Sequence, residues 1–240
     1  MVKHHGLIRI CAIALALVLV LFLVLPWSCS DNEPEERRAF AAFLAEKVLP
    51  VQGVALPELA GKEKRAVGRY ADHYNLLQSF QKELAGETGK NAGELLALTE
   101  FVDLAALAGA EKSLRKAARE AESLSKLVET LTAKADKKKA ALSLPEDIAP
   151  AYNTAYDKIV VRPGAATAAM FASVRTTFAA ILDLLDFVAS RSRDMEIDGK
   201  NINLKNIGLK DELQTKMTAV RERSLEMGKA YAAMMRIMLQ

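Results

Sequence analysis

His73 is the only histidine beyond the first five residues, so general-base chemistry near neutral pH in the body of the chain would have to run through it. Its sequence neighbour Asp72 points elsewhere on a helix, because adjacent residues are turned about 100° apart, and so cannot orient the imidazole as a triad acid does. With neither a nucleophile nor an orienting partner in view, His73 is expected at the surface or boundary of a helix. Asp183 and Asp186, three apart, could form a carboxylate pair of the kind that hydrolyses glycosides, but such a pair needs a cleft around it. They flank Leu184 and Leu185 and are expected to line the wet side of a core helix. Asp194, Glu196 and Asp198 before Gly199 resemble the opening of a calcium loop, with an oxygen donor at every second position. The twelfth place, which needs a bidentate Glu, holds Lys205 instead.

The remaining chemistry-bearing residues have structural uses. Lys134, Lys137, Lys138 and Lys139 form the densest basic run, which at a helix C-terminus complements the macrodipole. Five of the eight methionines lie between Met217 and Met238, where they can fill irregular core space or form an adaptable binding face. Cys11 and Cys29 are the only cysteines, so no disulfide or thiolate metal cluster can staple the chain after Ser30. No glycine-rich phosphate loop is present. The expectation is a non-enzyme with no metal or cofactor.

The chain carries 33 basic and 30 acidic residues, and Lys3 and Arg9 lie in an N-terminal stretch without acids, which leaves 31 against 30 beyond it. That near balance argues against nucleic acid, whose binding needs a concentrated basic face to release counterions. Lys3, His4, His5 and Arg9 precede Ile10 to Trp27, 18 residues without a charge. As a helix they reach about 27 Å, close to the hydrocarbon thickness of a bilayer. Asp31, Glu33, Glu35 and Glu36 follow, so the positive end is expected in the cytoplasm and the rest of the chain outside. Three fates stay open for this segment: an uncleaved anchor, cleavage before Cys29 with lipidation of that cysteine, or cleavage after Ser30, where Ser28 and Ser30 give a small-x-small site. Palmitate labelling that persists in Cys29→Ser would remove the lipid.

Helical periodicity dominates the rest. Pro34 opens a helix whose Phe40, Phe43, Leu44 and Val48 share a face to about Leu49. After a loop marked by Pro50, Gly53 and Pro57, a second helix is expected from near Lys62 to Leu84, through Val67, Tyr70, Tyr74 and Leu77, with Gln81 filling a polar gap. Gly86, Gly89 and Asn91 should end it, and Asn91 with Glu94 forms a capping-box pattern for the next helix. That helix, Leu95 to about Ala141 with a bend at Gly109, carries Leu114, Ala117, Ala121, Leu124, Val128, Leu131 and Ala135 at coiled-coil spacing. Pro145 and Pro150 open a short helix through Tyr152, Tyr156 and Ile159. Pro163 should start a central one bearing Phe171, Val174, Phe178, Ile181, Leu185 and Val188. Between Met195 and Leu204 a hairpin centred on Gly199 and Lys200 would set Ile197 opposite Ile202. A last helix, from about Leu209 to Met238, carries Leu213, Met217, Val220, Met227, Tyr231, Met234 and Met238 as its seam.

Arg37-Arg38-Ala39-Phe40 with Phe43-Leu44, then Leu56-Pro57-Glu58-Leu59, Gly68 with Tyr74, and Ala155-Tyr156-Asp157-Lys158-Ile159-Val160 ahead of Pro163 are similar in kind and order to landmarks of one family. The chain from Cys29 to near its end resembles the YiaF family of uncharacterised bacterial envelope proteins, which share a domain of unknown function. The resemblance implies a common fold and places Cys29 on the family's proposed lipid-bearing cysteine. It brings no catalytic residues.

The expected protein is all-α. It is an elongated antiparallel bundle with coiled-coil-like seams and one small hairpin at about 195–204, preceded by a membrane helix. Residues 1–9 form a cytoplasmic positive region, 10–27 the transmembrane or signal segment, 28–33 a linker and 34–240 the extracytoplasmic domain. Its expected setting is the cell envelope, with the domain in the periplasm or extracytoplasmic space. Its expected partners are the membrane, through the N-terminal helix or a lipid on Cys29, and a protein or second copy through a helical face. A binder of an apolar ligand between helices, using the Met-rich last helix and the tyrosines 70, 74, 152 and 156, is the alternative.

Overall fold

The computed structural model describes residues 32–97, 104–199 and 201–239. The membrane helix expected at 10–27, most of the linker and Cys29 lie outside them. Helix α1, Glu33–Phe43, starts with Pro34 and three acids in its first turn, which suit the positive end of the macrodipole, and continues as a π-helical turn over Leu44–Val48. Phe40, Phe43, Leu44 and Val48 are buried, as their spacing predicts. After the loop, α2 spans Gly61–Val67 and α3 spans Ala71–Ala97, with a 3-10 turn between them at Gly68, whose φ of +50° few other residues adopt. Gln81 fills its polar gap by donating a 2.6 Å hydrogen bond to the carbonyl of Val54 in the loop.

Two expected boundaries are corrected here. Helix α3 does not stop at Gly86, Gly89 or Asn91 but runs through them to Ala97, so no new helix is capped at Asn91. Glycine weakens a helix without breaking it, by about 1 kcal/mol each, and the buried row Leu77, Phe80, Leu84 and Leu95 outweighs that cost. Pro163 does not start a helix either. Helix α6, Ala149–Tyr156, a π-helical turn at Asp157–Val161 and α7, Arg162–Ser190, form one continuous 42-residue helix. In the π turn the Arg162 amide donates to the carbonyl of Asp157, five residues back. This wider turn shifts the hydrogen-bond register just ahead of the proline, which lacks a donor and crowds the carbonyl four residues before it. At 1.5 Å per residue the rod is about 60 Å long, so the domain is elongated. It is the one helix among the described residues long and apolar enough to cross a membrane, but its apolar window is 56% buried inside the bundle. We read it as the core helix.

Helix α4, Leu104–Gly109, ends at the expected bend, and α5 spans Glu111–Ala140 with all seven predicted seam residues buried. α5 packs along one flank of α7, α8 (Lys210–Leu239) along another, and α3 covers α5. Cross-links fix the antiparallel sense. Arg115 reaches Asp186 while Ser125 donates to Ala168, and Lys216 reaches Asp183 while Thr177 donates to Arg223. Strands β1, Met195–Asp198, and β2, Asn201–Leu204, pair in the predicted register, with Ile197 opposite Ile202 and Met195 opposite Leu204. Met195 packs with Leu184, Phe187, Val188 and Leu213, so the hairpin closes a second small core beneath it.

Candidate functional site

His73 is largely buried, 9% exposed, so it does not stand at the surface as one expectation had it. Three aromatic rings surround it: Phe40 of α1 at 6.1 Å between centroids, Tyr70 at 5.2 Å and Tyr152 of α6 at 5.9 Å. Among the described residues neither ring nitrogen has a hydrogen-bond partner of full geometry, and the backbone of Ser143 makes the nearest approach to one. Burial holds the imidazole below its usual pKa, with Ser143 and Asp72 pulling the other way. Burial therefore favours the neutral ring.

The tyrosines around it are core residues with satisfied hydroxyls. Tyr70 donates to the carboxylate of Glu33, Tyr74 to the carbonyl of Pro57 at 2.6 Å, Tyr152 to the carbonyl of His73 at 2.9 Å, and Tyr156 to Asp136 at 2.8 Å. Burial first, and then the Glu33 carboxylate, push the Tyr70 hydroxyl up to about 12. The hydrogen bonds from Arg37 and Tyr70 hold Glu33 below the ordinary carboxylate range. With their hydroxyls paired and their rings buried, these four tyrosines are packed into the core. A groove of about 480 Å³ lies at the other end of the bundle, where Leu185, Val188, Met195 and Ile197 form its floor and Glu196 with Lys205 its rim.

The carboxylate candidates part company. Asp183 takes Lys216 of α8 at 2.7 Å and Asp186 takes Arg115 of α5 at 2.5 Å, so one acid faces each flank and both are exposed. Glu196 sits on the solvent side of the hairpin and pairs with Lys205 at 3.6 Å, the residue that replaces the calcium-loop glutamate. Among the described residues no three His, Cys, Asp or Glu gather as a metal site would need. Lys137, Lys138 and Lys139 do occupy the last turn of α5, where Lys139 stands 4.3 Å above the Tyr156 ring.

Lys158, Arg162 and Arg236 converge on a cleft of about 250 Å³ beside Gly53. Lys158 already donates to the carbonyls of Val48, Leu49 and Val51, at 3.2 and 3.1 Å for the first two, and so caps the C-terminal end of the first helix. Burial and then Arg162 lower its amine below the usual range. Arg162 pairs with Asp157 at 2.9 Å. Two of the three cations thus serve the fold.

Helix α8 presents a different surface. Only Leu213 is buried in it, and Val220, Met227, Met234 and Met238 are half-buried against the core. Met217 and Tyr231 were expected in the same seam but stand 43% and 38% exposed, because α7 is the one long helix against which α8 lies and the contact is narrow. About 120° round the helix from Val220, Met227 and Met234 runs a second apolar row. Leu225, Gly228, Ala232, Met235 and Leu239 step by three and four without a charge, and Leu225 and Leu239 are 57% and 65% exposed. Space is open around Gly228. Arg221, Lys229 and Arg236, with Glu222 as the one acid among them, border the row, exposed and with no ion-pair partner among the described residues. Sequence reading missed this row because the first seam absorbed the periodicity; its signal was a three-four repeat with small residues at its centre.

The family described as "Protein of unknown function (DUF3053)" matches residues 14–235. "Uncharacterized protein YiaF" of Escherichia coli K12 is 23% identical over 178 residues, covering 72% of this chain and 74% of the relative. The protein of the same name in Shigella flexneri matches over the same length at the same identity. No solved structure matches. With its helical architecture and hairpin, and with the family's profile spanning nearly all of it, the chain belongs to the DUF3053 family.

Proposed function

We propose that this is a membrane-tethered, non-enzymatic protein of the bacterial cell envelope that works as an interaction module. The apolar segment at 10–27 holds it, alone or with a lipid on Cys29, and the outer face of α8 takes a partner. The observation that carries this reading is the exposed row from Leu225 to Leu239, which a monomer gains nothing by displaying.

The partner we assign to that face is an apolar helix of another protein, rimmed by acidic residues. Three-four spacing suits knobs-into-holes packing, and the hollow at Gly228 and Ala232 fits an inserted side chain. The unpaired Arg221, Lys229 and Arg236 set the charge of the opposing rim. They also oppose a second copy of this chain, which would bring the same cations.

The test is a photo-crosslinking residue at position 225 of the full-length chain in intact cells. The expected adduct joins a heterologous peptide with acids flanking a three-four apolar row. It should be lost in the folded triple variant Arg221→Glu, Lys229→Glu, Arg236→Glu. An adduct to a second copy or to lipid, no adduct, or one indifferent to charge reversal, contradicts the assignment. A second reading, a small apolar ligand in the groove under the hairpin, rests on its 480 Å³ volume and apolar floor. Mass spectrometry of gently purified protein that finds nothing bound across preparations would remove it.

A further inference from the structure

Helix α1 is the first element after the proposed tether, and one of its main contacts with the bundle is Phe40, fully buried against His73, Tyr70 and Tyr152. The seal has an uncommon filling. A buried polar group is ordinarily hydrogen-bonded, yet among the described residues neither nitrogen of His73 has a partner of full geometry, the backbone of Ser143 coming nearest. That is tolerable for a neutral ring at modest cost and poorly tolerable for an imidazolium, whose charge needs a partner or water.

We propose that His73 is a proton-operated latch that keeps α1 docked while neutral and loosens it on acidification. Of the charged groups on the elements around it, Glu33 and Arg37 of α1 pair with each other, with Tyr70 as the third member of that network and Asp147 beside Arg37. On its own helix Asp72 faces solvent and takes Asn75. Tyr152 of α6 spends its hydroxyl on the carbonyl of His73, and Ser143 offers a backbone group. Ser143 and Asp72 favour the cation, but burial outweighs them. Phe40 of α1 forms one wall of the pocket, and its withdrawal would open the ring to water while carrying α1 and its Glu33 to Tyr70 link away from α3 and α6. The sign follows from the lowered pKa. Full stability is present above the unfolded imidazole's pKa of about 6.5. It is lost as pH falls below that value, because the open state then binds a proton that the closed state refuses.

Hydrogen exchange of the full chain in detergent micelles, corrected for intrinsic rates, reads this directly. From pH 7.5 to 6.5 the opening constant of α1 amides should stay level. Below 6.5 it should rise by up to tenfold per pH unit until His73 protonates in the closed state, while amides in the middle of α7 hold. In His73→Phe the rise should vanish. The same rise in that variant, or equal opening of α1 and α7, overturns the latch. Should His73→Phe fail to fold, NMR titration of His73 in the parent decides. A titration below the free imidazole's, with α1 resonances moving in step, supports the latch; one at or above it, or α1 resonances that ignore it, overturns it. This inference is independent of the partner assigned to α8.

Discussion

Replacing Phe178 by Ala lowers the unfolding free energy by about 3–5 kcal/mol, the range for truncating a buried phenylalanine. Phe178 is 0% exposed, and it lies on the segment of α7 where Thr177 donates a 3.0 Å hydrogen bond to Arg223 of α8. Its removal leaves a void in the helix that most of the bundle leans on, and the neighbours on both flanks are themselves fixed by packing. For a domain of this size the melting temperature should fall by roughly 10 °C. The control is Leu225→Ala on the outer face of α8, which should change stability by less than about 0.5 kcal/mol. Denaturant unfolding of the full chain in detergent checks both. A Phe178→Ala loss under about 1 kcal/mol would mean that α7 is not the core helix.

The second large effect is expected at Gly53. Its φ is +65°, and a methyl group there would lie 2.3 Å from the carbonyl oxygen of Met238, a backbone atom near the end of α8. Left-handed backbone costs a residue with a side chain about 1–2 kcal/mol, and the clash adds to it, so Gly53→Ala should destabilise by about 2–3 kcal/mol. It should also free the last turn of α8, because the Val54 amide approaches the same Met238 oxygen at 3.4 Å. Gly86→Ala is the counterpart. Nothing lies within 4 Å of its added methyl, its backbone is helical, and it should stabilise by about 0.5–1 kcal/mol. Equal effects at the two glycines would contradict the packing of the loop on α8.

Periodicity made much of this fold legible in the sequence. The seven seam residues of α5 and the register of the hairpin are local patterns, and local patterns are visible in one chain. What failed depended on remote packing or on a rare turn. The glycines of α3 look like a stop until Leu84 and Leu95 are seen buried on either side of them. Pro163 looks like a start until the π turn at Asp157–Val161 lets the helix pass through it. His73 had a readable signal, since Tyr70, His73, Leu77, Phe80 and Leu84 step by three and four, and the histidine simply occupies an apolar place in that row. The outer row of α8 was equally regular and was passed over for the seam beside it. Cys29 and the segment before it carry the tether reading on sequence alone.

That tether is tested most directly by protease added to spheroplasts that express the chain with a C-terminal tag. The chain should sediment with membranes, and its tagged domain should be digested from outside. A chain found in the soluble fraction, or one whose tag survives the protease until the cells are lysed, would contradict it.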